Sequence, residues 1–196
     1  MEFEELKDKI VKFVKEELYS LEPWIYSCEW DEKLPKLNEL REKVKKMGLW
    51  LPQISTDYGG IGLSLEEHGE ISEILGGSPY GFYVFNCQAP DAGNMEILIE
   101  VGTSQQKKDY LTPLLEGKTR SCFAMTEPGY AGSNPTRMGT VAKKENGNYI
   151  INGHKWFTSS FDGADFAIVM VVTDPDEANP YKRASQIIVP TKTEGV

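Results

Sequence analysis

The hydrophobic residues of this 196-residue chain change their spacing once, at Gly117. Before that point apolar side chains recur at helical intervals, as in the stripe from Phe3 to Leu21, and after it they alternate with a period of two. The first spacing buries one face of a helix, and the second buries one face of a strand. We therefore predict an α+β fold, with an all-α domain over residues 1–118 and an antiparallel β domain over residues 119–196. Strands and helices do not alternate, so no βαβ unit is expected.

Turn and cap signals locate the individual elements. Ser64 and Glu67 form a capping box that predicts the start of a helix. Asn146-Gly147 predicts a tight turn between two strands. Strands are predicted over residues 121–126, 139–143, 149–152, 166–173 and 185–190.

Composition excludes several classes of function. The chain has 30 acidic and 21 basic residues, a net charge of −9, which argues against binding to a phosphate backbone. No apolar run is long enough to span a membrane. Three cysteines without a CxxC pair indicate reduced thiols and a reducing compartment. Two histidines cannot form a His-rich metal site.

Two runs of residues carry most of the functional information. The first, Ser121–Asn134, predicts a short strand that stops at Pro128 and opens into a loop rich in glycine and serine. The second, Ile151–Ser160, has a turn at Asn152-Gly153 followed by two aromatic residues and three hydroxyl residues. A flat aromatic surface beside neutral hydroxyl donors suits a flat heteroaromatic ligand with several acceptors, such as a flavin.

These runs resemble two flavin-binding segments of the acyl-CoA dehydrogenases, FAD enzymes that desaturate acyl-CoA thioesters between Cα and Cβ. The stretch Phe123–Gly129 is similar to the first segment, and Asn152–Lys155 with Phe157–Ser159 is similar to the second. The run Phe85–Met95 resembles the branch that some animals fuse to aminoglycoside-phosphotransferase-like kinase domains. The resemblance covers nearly the whole chain.

The chain departs from the family pattern at three places. Its flavin loop is one residue longer than the commonest form, and Asn134 stands where the family usually has Asp, which removes a charge. Aligned without gaps from Asn152, Phe157 falls where most members have Trp and Ser159 where they have Thr. A shift by one residue would instead align Trp156 with that Trp; the ungapped alignment is preferred because it keeps Asn-Gly-x-Lys in place.

The resemblance implies the site residues. Ser133 is also the expected contact to the acyl-CoA substrate. No catalytic residue is expected in this chain, because most members carry the catalytic base in a C-terminal four-helix domain. The expected FAD-binding residues are Phe123, Ala124, Met125, Thr126, Gly132, Ser133, Phe157, Thr158 and Ser159.

Several conspicuous residues have simpler interpretations. Glu127 could suggest a general base, but we expect it to bind backbone amides of the loop. His154 is expected to be an exposed strand residue rather than a proton shuttle. Trp156 and Phe157, if they lie on a strand, face opposite sides, so that one can be core while the other touches flavin. The glycine-rich loop Asp57–Gly62 lacks the GxGxxG pattern and is expected to be structural.

The resemblance implies FAD-dependent dehydrogenation of acyl-CoA. A carboxylate removes the α-proton, the β-hydrogen leaves as hydride, and the electrons pass to electron-transfer flavoprotein. The complete enzyme is expected to be a homodimer or homotetramer. The alternatives are an acyl-CoA oxidase or flavin monooxygenase on the same fold, or a non-catalytic assembly partner. The expected location is cytoplasmic in a prokaryote, and mitochondrial or peroxisomal in a eukaryote.

The chain stops at Val196, where the family continues with further β strands and the four-helix domain. We therefore expect a truncated or split form that supplies flavin-edge donors but not the base. Alone, residues 1–196 are expected to be inactive and to hold FAD weakly or not at all.

Overall fold

The computed structural model describes residues 2–196, and its contacts divide the chain into two compact units, Met1–Ala92 and Gly93–Val196. This division groups the helices that follow Gly93 with the sheet. The expected domain boundary between residues 118 and 119 follows the change of secondary structure instead, and it stays a prediction.

The first unit is helical. A π-helical turn, Val14–Leu18, and a 3₁₀ turn, Tyr19–Leu21, continue its first helix. Its apolar stripes meet in one core that includes Ile10, Leu40 and Leu75, all fully buried. The capping box at Ser64 and Glu67 is confirmed, since each residue bonds the backbone N–H of the other. The helices are α1 (Phe3–Phe13), α2 (Glu22–Ser27), α3 (Trp30–Lys46), α4 (Leu65–Leu75) and α5 (Gly81–Val84).

One cation is buried in this unit. Arg41 is 4% exposed, and its guanidinium lies between the rings of Trp50 and Tyr83, 5.0 and 4.5 Å from their centroids. It donates to the carbonyl of Tyr83 at 2.9 Å and to Oδ1 of Asn86 at 3.3 Å. A buried guanidinium is tolerated only when it is paired in this way. Arg41 therefore fixes the backbone at the start of the run Phe85–Met95.

The second unit combines helices with one sheet. Asn94 is fully buried, and its Nδ2 donates to Oγ of Ser121 and to the carbonyl of Cys122, which attaches a helix to the first strand. A π-helical turn, Lys107–Leu111, joins the last two helices. The elements are α6 (Asp91–Val101), α7 (Ser104–Gln106), α8 (Thr112–Leu115), β1 (Ser121–Ala124), β2 (Val141–Glu145), β3 (Asn148–Asn152), β4 (Phe166–Val172) and β5 (Ala184–Pro190).

The sheet is arranged around β4. Along its whole length β4 pairs antiparallel with β5. At its other edge it pairs parallel with β1, from Phe166 to Val169, and then with β2 at Val172. β2 and β3 form an antiparallel hairpin, whose Asn146-Gly147 turn has φ angles of +50° and +84° as a tight turn requires.

The α+β fold is confirmed, but the sheet is mixed and not wholly antiparallel. β1 runs parallel to β4, although no βαβ unit is present in residues 2–196. The physical reason is that β1 and β2 lie in succession along one edge of β4 and run the same way. The antiparallel strand β3 then returns the chain to the start of β4, so a parallel pair forms without a crossover helix.

No helix formed by residues 2–196 combines the length and the apolar character that a membrane crossing requires.

The core of the first unit can be tested with one pair of leucines. Leu40 in α3 is fully buried, so Leu40→Ala should lower the free energy of unfolding by about 2–5 kcal/mol through lost contacts and a cavity. Leu65 in α4 is 89% exposed, so Leu65→Ala should change it by less than about 0.5 kcal/mol. Urea denaturation of both variants measures the difference, and equal values would contradict the described core.

Candidate functional site

A long loop leaves the sheet between β1 and β2. β1 ends at Ala124, which pairs with Val169, and β2 begins at Val141, which pairs with Val172. Residues 125–140 therefore start and finish along the same edge of β4. The predicted strand over 121–126 ends earlier, at Ala124. The loop that follows contains Pro128-Gly129.

Glu127 closes the base of this loop. Its side chain is buried, and its carboxylate accepts from the backbone N–H of Gly139 through Oε2 at 2.5 Å and of Thr140 through Oε1 at 2.9 Å. The expectation that Glu127 binds loop amides is confirmed. Glu127, in the part of the loop that leaves β1, is therefore bonded to the part that enters β2.

Lys155 joins the same cluster from the second run. Its Nζ donates to Oε1 of Glu127 and to the carbonyl of Met125, both at 2.8 Å. The neighbouring residue adds a backbone link, because the N–H of Trp156 donates to the carbonyl of Thr126 at 3.0 Å. The two predicted flavin segments are therefore bonded directly to each other.

The pKa of Glu127 reflects these partners. Burial on its own raises the pKa of the carboxyl, but the ammonium of Lys155 and the N–H groups of Gly139 and Thr140 favour the ionised form more strongly. The net result lowers the pKa from 4.5 to about 2. Glu127 is thus ionised at neutral pH and its carboxylate is occupied by these donors.

Trp156 and Phe157 form an aromatic pair next to this cluster. The segment after β3 is not a strand, and Phe157 has a φ of +50°, so the expectation that the two rings face opposite sides is wrong. A positive φ breaks the alternation of an extended chain. The ring centroids lie 4.7 Å apart, and the two residues are 40% and 80% exposed.

A cavity of about 1090 Å³ opens beside the aromatic pair. Its size exceeds that of an ordinary small-molecule pocket, about 300–1,000 Å³. Apolar side chains on β1, on the segment after β3 and on β5 line this cavity. They include Ala124, Trp156, Phe161, Ile187 and Val189.

The structure brings some of the predicted site residues together. Met125 and Thr126 are bonded to Lys155 and Trp156 as described above. Gly132 lies against Thr126, since a Cβ at this position would come within 2.8 Å of the Thr126 methyl group. Of the predicted set, Ala124 and Thr158 line the cavity.

For three other predicted site residues, the structure gives the degree of burial. Phe123 is half-buried in β1. Ser133 and Ser159 are both exposed, and within residues 2–196 no hydrogen bond joins either of them to the cluster around Glu127. His154 is exposed, as expected, although it follows β3 instead of lying in it.

Sequence reasoning missed Lys155. It served there only to fix the alignment of the Asn-Gly-x-Lys pattern, whereas its side chain is 11% exposed and holds three groups, including the Met138 sulfur at 3.7 Å. The sequence offers no signal for this role, because Lys155 follows a turn and its neighbours His154 and Trp156 are exposed. Among residues 2–196 no cluster of three or more His, Cys, Asp or Glu could hold a metal ion.

A helical unit followed by a mixed sheet is a fold that known proteins share with this chain. Residues 1–118 match the family described as acyl-CoA dehydrogenase, N-terminal domain, and residues 122–196 match acyl-CoA dehydrogenase, middle domain. The chain belongs to the acyl-CoA dehydrogenase family.

Individual relatives agree with this assignment. The chain is 40% identical to acyl-CoA dehydrogenase family member 10 of Mus musculus over 97% of its own length and 19% of the relative's. A solved acyl-CoA dehydrogenase structure from Mycobacterium abscessus superimposes with a TM-score of 0.91 at 34% identity, over 98% of this chain and 51% of that one. A glutaryl-CoA dehydrogenase from Mycobacterium smegmatis in complex with FADH2 has a TM-score of 0.72 at 25% identity, over 98% and 46%.

These matches support the branch indicated by the run Phe85–Met95, and family membership supports an oxidoreductase role. The chain spans between a fifth and about half of the length of these relatives.

The stabilising role of Glu127 can be tested through its pH dependence. Because its pKa is lower in the folded chain than in the unfolded one, its contribution is complete above pH 4.5 and disappears as the pH falls towards 2. Glu127→Gln should therefore cost about 1–3 kcal/mol at pH 7 and clearly less at pH 3. Urea midpoints at both pH values measure this. Glu145→Gln, at an exposed position in β2, is the matched control, and a pH-independent loss in Glu127→Gln would contradict the assignment.

Proposed function

We propose that this chain supplies the donors to the flavin edge and part of the acyl-CoA site of an FAD-dependent acyl-CoA dehydrogenase. The observation that carries the proposal is the direct bonding of the loop 125–140 to the aromatic segment 153–158, beside a large apolar cavity. The FADH2 complex of the Mycobacterium smegmatis relative supports the choice of cofactor.

The residues present fit a flavin. Its ring system is flat and apolar on its faces and carries acceptors along its edges. The exposed rings of Trp156 and Phe157 offer aromatic surface, and the hydroxyls of Thr126, Thr158 and Ser159 offer neutral donors. Phe123, Ala124, Met125, Gly132 and Ser133 complete the proposed set.

Bound FAD would supply a two-electron acceptor for the hydride that leaves the β-carbon of the thioester. The chain's own residues would bind and orient. Thr126, held by its carbonyl to the N–H of Trp156, would present its hydroxyl and N–H to the ring edge. Ser133, exposed on the outer part of the loop, would contact the acyl-CoA.

Proton abstraction is assigned to another part of the protein. Three donors occupy the carboxylate of Glu127 and lower its pKa to about 2, which supports placing the base elsewhere. We propose that the base lies in the C-terminal helical domain of the complete enzyme. Electron-transfer flavoprotein is the proposed acceptor of the electrons, and a homodimer or homotetramer the proposed assembly.

The test uses the protein as its gene encodes it. Bound FAD is measured from the absorbance of the purified protein, and acyl-CoA is then added without oxygen. Bleaching of the flavin with formation of enoyl-CoA would support the proposal. A protein that neither contains nor takes up FAD would contradict it, and sustained peroxide production in air would favour an acyl-CoA oxidase instead.

Thr126→Val should alter the binding and the reduction potential of the flavin, because valine has nearly the same size as threonine but lacks the hydroxyl donor. The expected loss is about 0.5–1.5 kcal/mol of hydrogen bonding, seen as weaker FAD binding or a lower reduction potential. Thr136→Val is the matched control, since the Thr136 hydroxyl donates to Oδ1 of Asn134 within the same loop. Spectroelectrochemical titration measures both variants, and identical potentials in all three proteins would contradict the assignment.

We propose that Ser133 belongs to the acyl-CoA site more than to the flavin site, so Ser133→Ala should weaken acyl-CoA binding while FAD content stays nearly unchanged. Ser159→Ala is its counterpart, because Ser159 is assigned to the flavin and both serines are exposed. Equilibrium titration with an acyl-CoA and the FAD-to-protein ratio separate the two effects. Loss of FAD with normal acyl-CoA affinity in Ser133→Ala would reverse the assignment.

A further inference from the structure

The two ends of the loop 125–140 lie close together on the sheet. They are fixed to β4 at Val169 and Val172, about 10 Å apart along a strand. Residues 125–140 form a chain much longer than this distance, so they must leave the sheet and return to it. Nothing in the strand pairing itself holds the two arms of the loop together.

A cluster of two charged side chains bridges the arms. Glu127 is on the outgoing arm, and its carboxylate binds the N–H groups of Gly139 and Thr140 on the returning arm. These bonds replace the backbone ladder that is interrupted there. Lys155 then bonds both Glu127 and the carbonyl of Met125, so the outgoing arm is held at two points.

Burial makes this pair a strong constraint. The side chains of Lys155 and Glu127 are 11% and 5% exposed. An ion pair that is shielded from water is costly to break, because removing one partner leaves an unpaired charge in a poorly solvated place. Exposed pairs in the same chain, such as Lys45 with Glu42, carry no such penalty.

The position of Lys155 in the sequence gives the pair a second consequence. The next residue is Trp156, which lines the cavity and donates its N–H to Thr126. A displacement of Lys155 would therefore move the aromatic pair and the end of β1 relative to each other. These are the two groups that the proposed function places against the flavin.

We propose that Lys155 is a positioning residue, which, through Glu127 and Met125, holds the loop 125–140 and the aromatic segment 153–158 in one fixed arrangement for the flavin. The flavin part of this inference rests on the proposed function. The coupling of the two segments is independent of it.

The experiment compares three variants of the protein as its gene encodes it. Lys155→Met removes the ammonium and keeps the apolar stem. Glu127→Gln combined with Lys155→Met also removes the charge that would be left unpaired. Lys144→Met, at an exposed position in β2, is the matched control. Hydrogen exchange is followed by mass spectrometry in peptides that cover residues 125–140 and 153–158, together with the unfolding midpoint and the flavin reduction potential.

In Lys155→Met, exchange in both peptides should become about 10- to 100-fold faster, which corresponds to the loss of hydrogen bonds to a charged group. The double variant should recover part of the unfolding midpoint, because no lone buried charge remains. The amides of its two peptides should still exchange faster than those of the natural protein. Its flavin reduction potential, like that of Lys155→Met, should differ from the natural value. Lys144→Met should match the natural protein in all three measurements.

Exchange in Lys155→Met that matches the control would overturn the coupling. A flavin potential that returns to the natural value in the double variant, along with the midpoint, would overturn the positioning role and leave a purely stabilising one. A natural protein that never binds FAD would disprove the proposed function instead, and the exchange of the two peptides would still decide whether Lys155 couples them.

Discussion

β4 has two edges, and β5 occupies one of them along its full length. β1 and β2 must therefore share the other edge, one after the other and in the same direction. The chain between them cannot stay in the sheet, and it forms the loop that carries four of the nine proposed ligand-contact residues. The mixed topology and the exposed position of the loop are thus two results of the same constraint on β4.

The loop needs a substitute for the missing strand pairing, and an ion pair provides it. A carboxylate can accept from several N–H groups at once, which no single backbone carbonyl does as well. Glu127 uses this capacity to hold two amides and an ammonium. The same bonds that close the loop also stabilise the ionised form of the Glu127 carboxylate.

Periodicity predicted the class of the fold and placed each strand within a few residues. It could not predict that β1 runs parallel to β4, because pairing direction depends on where a long loop returns and not on local spacing. It also failed at Trp156 and Phe157, where a positive φ at a residue with a side chain interrupts the extended chain. The glycine-rich loop and the aromatic pair were found from the order of residues in two runs and from the family resemblance, but their mutual contact was not.

Lys155 shows why part of the site stays hidden in a sequence. Glu127 and Lys155 are far apart along the chain, and each looks like an ordinary charged residue beside a turn. Only the fold brings their side chains into contact and excludes water from them. The individual contacts of Phe123, Thr126, Ser133 and Ser159 to a ligand remain predictions that rest on the family resemblance.

A loop whose two ends are anchored to neighbouring positions of one strand can vary in length without disturbing that strand. Its closure entropy rises only slowly, by about 0.6 kcal/mol for each doubling of length. The register between β1, β2 and β4 does not depend on how many residues lie outside the clamp. A residue added to this loop would therefore leave the pairing of the sheet underneath unchanged.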